Sequence, residues 1–429
     1  MLAIRQHDFA KVIELRCQVV KEWLHRSGTC PLSISLHYPT SHNPALDDTN
    51  LPRRGADLGS NPLLLLVLSF SRRWKQVDLV LPPSVYDELE AHLSGDLLPI
   101  LETFRLADCR GPRLRPMTGA GSLRPFMESP NLRRLCIDAM LLTRDIAMLP
   151  PTVWNRLTCL CIIQSISDVA FYDLIRHCHS LIHCEAQLKA SQAYERRLSH
   201  RQTDIVSLIK VFKLDDLSSP VGILQSIYFP SLEFLDYRYT SSPFAVDFPP
   251  PFFLTIIKHA PTTFWKLNFA PRKLSSIHSI RGLHLASGIT HLSLDCTPYL
   301  RVHTEDDMLM PEDCLDFSVF AINTTGGCKD ILVPKLEVLE MYNVQRLTDE
   351  TILRVLLSRI DAAQMGVVSP LRHVKIDIWR RRQKDIHEAV LEHAKSAGFE
   401  MKLELNYLPY RRVYHDRFSP SFLLASDNW

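Results

Sequence analysis

The side chains that could do chemistry are few and scattered. Cys136, Cys159 and Cys161 recur upstream of His183, with His177 and His179 nearby. Three thiolates and an imidazole can hold zinc tetrahedrally. The spacing argues otherwise, because a single residue separates Cys159 from Cys161, whereas zinc sites usually use roughly two to four. Cysteine also packs as a small hydrophobe, so no metal is expected. His387-Glu388 with His393 matches a metalloprotease helix in residue types only. Histidines sharing a metal stand at i and i+4, and six residues at about 100° each leave these two about 120° apart. There is no G-x-S-x-G, no Walker A loop and no G-x-G-x-x-G, hence no nucleophile elbow and no phosphate cradle. The sequence predicts no enzyme and no cofactor.

Basic runs at 379–384 and at Arg411-Arg412 with Arg417 are able to meet phosphate. The whole chain, however, has 49 Lys+Arg against 47 Asp+Glu in 429 residues, a formal charge of +2. Without a basic excess, nucleic acid is not the expected partner. The longest apolar run, 63–68, falls far short of the ~20 residues a membrane span needs, and the charged start at Arg5, Asp8, Lys11 and Glu14 lacks a signal-peptide core. Eleven cysteines without framework spacing fit a reduced compartment. The expected location is therefore cytoplasmic, nuclear or both.

What the sequence does contain is repetition. The pattern L-x-x-L-x-L, with other apolar residues allowed, starts at Trp74, Leu101, Leu132, Leu157, Leu181, Ile209, Leu232, Phe264, Ile289, Leu336 and Leu371. Successive starts are 27, 31, 25, 24, 28, 23, 32, 25, 47 and 35 residues apart, mostly near the leucine-rich-repeat period of roughly 20–29. Between motifs, amphipathic segments read as helices. Asp349 is placed to cap one with Ile352, Leu353, Leu356, Leu357 and Ile360 inward; Ser167 caps another; a third, from about 384, ends at Gly398. Strand, turn, helix and return strand make an α/β solenoid, in which each unit buries its apolar edge against its neighbours. The expected fold class is thus α/β, a curved leucine-rich-repeat-like array. Its expected division is a cap region over 1–60, a solenoid over 61–408 with an acidic insertion at about 298–332, and a tail over 409–429.

In each strand, alternation turns motif offsets +3 and +5 inward and offsets +2, +4 and +6 outward. The outward set is a mixed polar face with a few aromatics, the composition of a protein-binding surface. Its candidate contact residues are Arg105, Arg134, His183, Glu185, Lys213, Asp236, Arg238, His291, Glu340, Tyr342, His373 and Lys375. A protein ligand on this concave face is the expected partner.

Several of these segments also resemble one family. Trp23-Leu24-His25-Arg26-Ser27-Gly28 runs into Cys30-Pro31-Leu32-Ser33-Ile34-Ser35-Leu36; Arg73-Trp74 precedes the strand at 77–81; Ser129-Pro130-Asn131-Leu132-Arg133-Arg134-Leu135 follows. With the segments 154–162 and 178–184 and the helix end Leu356-Leu357-Ser358-Arg359, the chain resembles the F-box/leucine-rich-repeat-type proteins of mushroom-forming fungi over about residues 20–408. The resemblance implies a substrate receptor of an SCF ubiquitin ligase, with an F-box before the W-L-x-R-S-G segment docking on the SCF adaptor. Residues 8–23 read as one helix with Phe9, Val12, Ile13, Val19 and Val20 apolar, too short for that module. Adaptor binding is accordingly expected only with an F-box upstream. A stand-alone interaction scaffold is the alternative.

Overall fold

A computed structural model describes residues 6–37, 62–81, 89, 91–93, 95–108, 124–137, 151–189, 204–216, 223–239, 252–271, 276–296, 315–322, 331–345 and 347–408. The loop read at 42–60, most of the acidic insertion, the basic Arg411-Arg412 pair and the tail lie outside these residues. The chain divides into two compact α/β units, Met1–Ile166 with His177–Leu181, and Ser167–Arg176 with Ile182–Trp429.

The first unit opens with α1 (Gln6–Arg26), longer at both ends than the sequence suggested, and β1 (Leu32–His37). Then come α2 (Pro62–Leu68), β2 (Trp74–Leu81), β3 (Thr103–Asp108), α3 (Arg124–Met127), β4 (Arg134–Ile137), α4 (Pro151–Trp154) and β5 (Cys159–Ser167). Pro62 and Pro151 occupy first helical positions, where a missing N–H costs nothing. Strands β1 to β5 pair in chain order, all parallel. Arg73 ties the start of this unit together. Its guanidinium donates to the Leu24 carbonyl at 3.0 Å, to Ser27 Oγ at 2.6 Å and to the Cys30 carbonyl at 3.0 Å, closing the C-terminal end of α1.

The second unit holds α5 (Asp168–His177), β6 (His183–Lys189), β7 (Ile205–Val206), β8 (Val211–Asp216), β9 (Ile227–Tyr228), β10 (Phe234–Tyr239), α6 (Phe252–Lys258), β11 (Lys266–Phe269), α7 (Ser276–Leu285) and β12 (His291–Asp295). It ends with β13 (Val338–Val344), α8 (Asp349–Gln364), β14 (His373–Ile378), α9 (His387–Ser396) and β15 (Lys402–Tyr407). Strands β6, β8 and β10 to β15 pair in that order, all parallel. Return strands occur among the described residues only as the two-residue ladder of β7 with β9. Helices and 3₁₀ turns make most of the other connections among the described residues. Ser167 does cap α5, accepting from the Ala170 N–H, and Gly398 adopts φ +84° where α9 stops. In α7, Gly282 faces the Phe253 ring so closely that an added Cβ would lie 2.4 Å from it.

The motif positions recur with one geometry. In every copy, offsets 0, +3 and +5 are buried: Leu132, Leu135 and Ile137, for example, or Phe264, Leu267 and Phe269. At eight starts, from Leu101 to Leu336, the first apolar residue donates its N–H to the carbonyl three residues earlier, at 3.0–3.4 Å. Pro130, Pro230 and Pro334 occupy the second position of that turn, where a fixed φ suits them, rather than the strand itself. The carbonyl at offset +1 then accepts two successive N–H groups from the next strand. Glu102, Arg133, Ile182, Lys210, Glu233, Trp265, Thr290 and Glu337 all do this, at 2.8–3.2 Å.

Helix α8 departs from its sequence reading in two ways. Thr348, not Asp349, is the N-cap, its hydroxyl accepting from the Thr351 N–H at 3.1 Å. The Asp349 carboxylate is fully buried and engaged elsewhere. It accepts from Arg380 at 2.5 Å, from the Gln383 and Lys384 N–H groups at 2.7 Å each, and from the Tyr407 hydroxyl at 2.9 Å. The buried stripe also runs through Val355 and Arg359, with Leu353 and Leu357 half-buried. Arg359 reaches under the turn before β13 and donates to the Leu332 and Val333 carbonyls at 3.3 and 3.0 Å. Val333 sits there at φ +45°, a left-handed conformation costly for a β-branched residue. Burial lowers Arg359 to about 10, still charged at neutral pH.

Arg359→Met should destabilise the second unit by about 2–4 kcal/mol, since it releases a strained turn, takes the guanidinium from the Leu332 carbonyl and leaves the Val333 carbonyl only the Leu336 N–H; equilibrium urea unfolding measures it. For Asp349, burial raises the pKa, but Arg380, Lys384, Tyr407 and Gln383 more than offset it, giving about 2 against an ordinary 3.8. A depressed folded pKa contributes stability above the ordinary value and loses it below. The loss of about 2 kcal/mol should therefore fall between pH 4 and pH 2, and Asp349→Asn should flatten that part of the stability–pH curve.

Candidate protein-binding face

In the second unit the outward offsets line up as registered rows. Offset +4 reads Glu185, Lys213, Asp236, Asn268, Ser293, Glu340, Lys375 and Glu404, each the register partner of the next. Offset +2 reads His183, Val211, Phe234, Lys266, His291, Val338, His373 and Lys402 in the same way. Ten of the twelve sequence-derived residues lie in this unit; Arg105 and Arg134 belong to the other.

Some of these side chains are tied to one another. Arg238 grips Asp236 with two bonds, Nε to Oδ1 at 3.3 Å and a terminal nitrogen to Oδ2 at 3.0 Å. Burial works against the Arg238 charge, yet Asp236, Asp215 and Asp295 together hold its pKa above the ordinary value. Lys213 Nζ is 3.5 Å from Glu185. Glu404 takes His373 at 3.2 Å and Lys402 at 2.5 Å. Tyr342 is pushed up to about 12, first by burial and then by Glu340, so it stays a neutral phenol.

Other cations rest on rings. Lys375 Nζ sits 5.2 Å above the Tyr342 ring, and Lys266 Nζ 5.1 Å above Phe234. The His291 ring meets Trp265 edge-to-face at 4.7 Å. Burial, then the Lys266 charge, lowers the His291 pKa and favours the neutral imidazole. Phe234, Trp265, Lys266 and His291 thus make a contiguous aromatic patch, and Trp265 is 39% exposed. Sequence alternation placed Phe234 and Lys266 outward without singling them out. It missed Trp265, which precedes the alternating strand by one residue.

Strand β13 ends irregularly. Asn343 adopts φ +61°, a region that asparagine tolerates, and the register with β14 shifts between Met341 and Val344. The bulge leaves Tyr342 facing outward with Lys375 above it, while the Asn343 amide donates to Asp295 at 3.1 Å.

In the first unit the same offsets are largely buried. Asp78, Thr103, Cys136, Cys159 and Cys161 all fall below a tenth exposed, so the cysteines at these offsets are packed. Cys136 and Cys161 are register partners, as are Arg134 and Cys159, while His183 belongs to the second unit. Among the described residues, no group of three or more His, Cys, Asp or Glu side chains is placed to share a metal ion. Arg105 donates to both oxygens of Asp78 at 3.1–3.2 Å, and His37 approaches the same carboxylate at 3.2 Å. No helix among the described residues is long and apolar enough to cross a membrane. Comparison with protein-family models gave no match, and no curated protein matched the sequence significantly.

The Arg105–Asp78 pair is only 11–12% exposed, whereas Lys213 and Glu185 are 32% and 25% exposed at a longer separation. Arg105→Ala should therefore cost about 2 kcal/mol by leaving a nearly buried carboxylate to the half-exposed His37. Lys213→Ala should cost under about 1 kcal/mol. Urea midpoints of the two variants compare them directly.

Proposed function

We propose that this chain is a leucine-rich-repeat-like solenoid whose business is to hold another protein against the sheet face of its second unit. The observation that carries the reading is the aromatic and cationic patch of Phe234, Trp265, Lys266 and His291, continued by Tyr342 and Lys375. Aromatic anchors among polar, partly satisfied neighbours are what hot spots of protein interfaces are made of. The recurring buried offsets and the repeated two-N–H carbonyl support the solenoid part of the reading. By resemblance, the held protein is a substrate for ubiquitination, and the chain a receptor of the F-box/leucine-rich-repeat type coupled to an SCF adaptor through an upstream F-box. A stand-alone scaffold without ligase coupling is the second reading.

Trp265→Ala and Tyr342→Ala remove two large outward rings without touching the core. Proteins retained by the immobilised wild-type chain should bind the double variant roughly 10–100-fold more weakly, with an unchanged melting temperature. Equal retention by both would sink the face as a binding site. Ligase coupling is checked separately, by reading the genomic sequence upstream of Met1 and testing the extended chain for binding to the purified SCF adaptor; no binding leaves the scaffold reading.

A further inference from the structure

Helix α1 shows an exposed apolar stripe beside its buried side. Leu24 is buried and Ile13, Cys17 and Val20 are half-buried on one side. On the other, Val12 is 40%, Leu15 62%, Val19 62% and Trp23 61% exposed. Steps of three, four and four residues keep these four within about 80° of the helix surface. Four large apolar side chains in one solvent-facing line are unusual for a helix with no partner.

The order of residues along the stripe says what covers it. About a point at Cys17, Leu15 and Val19 are equidistant, two residues on either side. Val12 stands five before and Trp23 six after; Lys11 stands six before and Glu22 five after, both on the same flank of the stripe. An antiparallel copy related by a two-fold axis at that point brings each flank against its own counterpart. Leu15 then meets Val19 of the second copy, Val12 meets Trp23, and Lys11 meets Glu22, every contact occurring twice. Arg16, on the opposite flank, lies near the axis and would meet its own copy. Helical side chains lean toward the N-terminus, so the two guanidinium groups diverge, each toward the other copy's Trp23 ring. Among the described residues Glu22 pairs with the exposed Arg26 at 3.2 Å, a weak link that leaves it able to take a second cation.

We propose that α1 is a self-association helix that pairs two copies of this chain, antiparallel, through Val12, Leu15, Val19 and Trp23. A contact of this length buries on the order of 1,000 Å² in total, at the small end of specific interfaces, so the pairing is reversible. It does not depend on what the sheet face binds.

Sedimentation equilibrium of the full chain across a hundred-fold concentration range tests this. The wild type should move from the monomer mass toward twice that mass. Leu15→Lys, at an exposed position, should stay monomeric with unchanged circular dichroism. Lys11→Glu and Glu22→Lys should each pair weakly alone, because each sets like charges together twice. Mixed in equal amounts they should associate as a heterodimer, because both contacts are then restored. A wild type that stays monomeric throughout overturns the proposal, as it would if some other protein covers the stripe. A Leu15→Lys dimer, or a mixture no better than its parts, overturns it too.

Discussion

One backbone oxygen per repeat fixes where the next strand lies. The carbonyl just after the first apolar residue of each motif accepts from two consecutive N–H groups of the neighbour, and it does so eight times with nearly the same distances. At seven of the eight, the turn immediately before it, closed by the first apolar residue's own N–H, aims that carbonyl. With both bonds made, the side chains at offsets +3 and +5 must enter the core and those at +2 and +4 must leave it. A slip by one residue would forfeit both bonds and exchange the two faces. The parallel ladders, the buried leucines and the outward rows all follow from this small piece of geometry.

That geometry explains which parts were legible in the sequence. Inward offsets were readable at every motif because an apolar residue there has no alternative. The cap of α8 was not, since Thr348 and Asp349 are both good capping types and stand side by side. What decides between them is the loop containing Arg380, Gln383 and Lys384, which claims the Asp349 carboxylate from more than thirty residues away. Arg359 escaped for a related reason: an arginine in an apolar stripe makes sense only once the Val333 turn beneath it is known. The cysteines at outward offsets are packed because alternation gives direction and not exposure, and in the first unit that side is largely buried. Trp265 was invisible to a period-two reading because it precedes the strand.

The two units use similar polar residues to different ends. In the first, the nearly buried Asp78 is shared by Arg105 and the half-exposed His37, linking three strands. In the second, Lys266 and Lys375 rest on aromatic rings. A cation on an exposed ring is held by only about 0.5–1 kcal/mol. Such an ammonium can turn to an incoming carboxylate at small cost, and the ring it uncovers is then available for apolar contact. Pairing with rings therefore keeps these side chains ordered without committing them.

The spacing of the motifs has a further meaning once the carbonyl contact is recognised. The connections between strand starts range from 23 to 47 residues, yet the two-bond contact is the same at either extreme, as at Lys210 before the shortest and Thr290 before the longest. Lengthening a connection costs little, about 0.6 kcal/mol per doubling, while one residue inserted between offsets +1 and +3 would turn a strand inside out. Insertions and deletions should therefore accumulate in the connecting segments and stop abruptly at the first apolar residue of each motif, so that lineages of this chain diverge in the length of their rims and hardly at all in the count of residues along their strands.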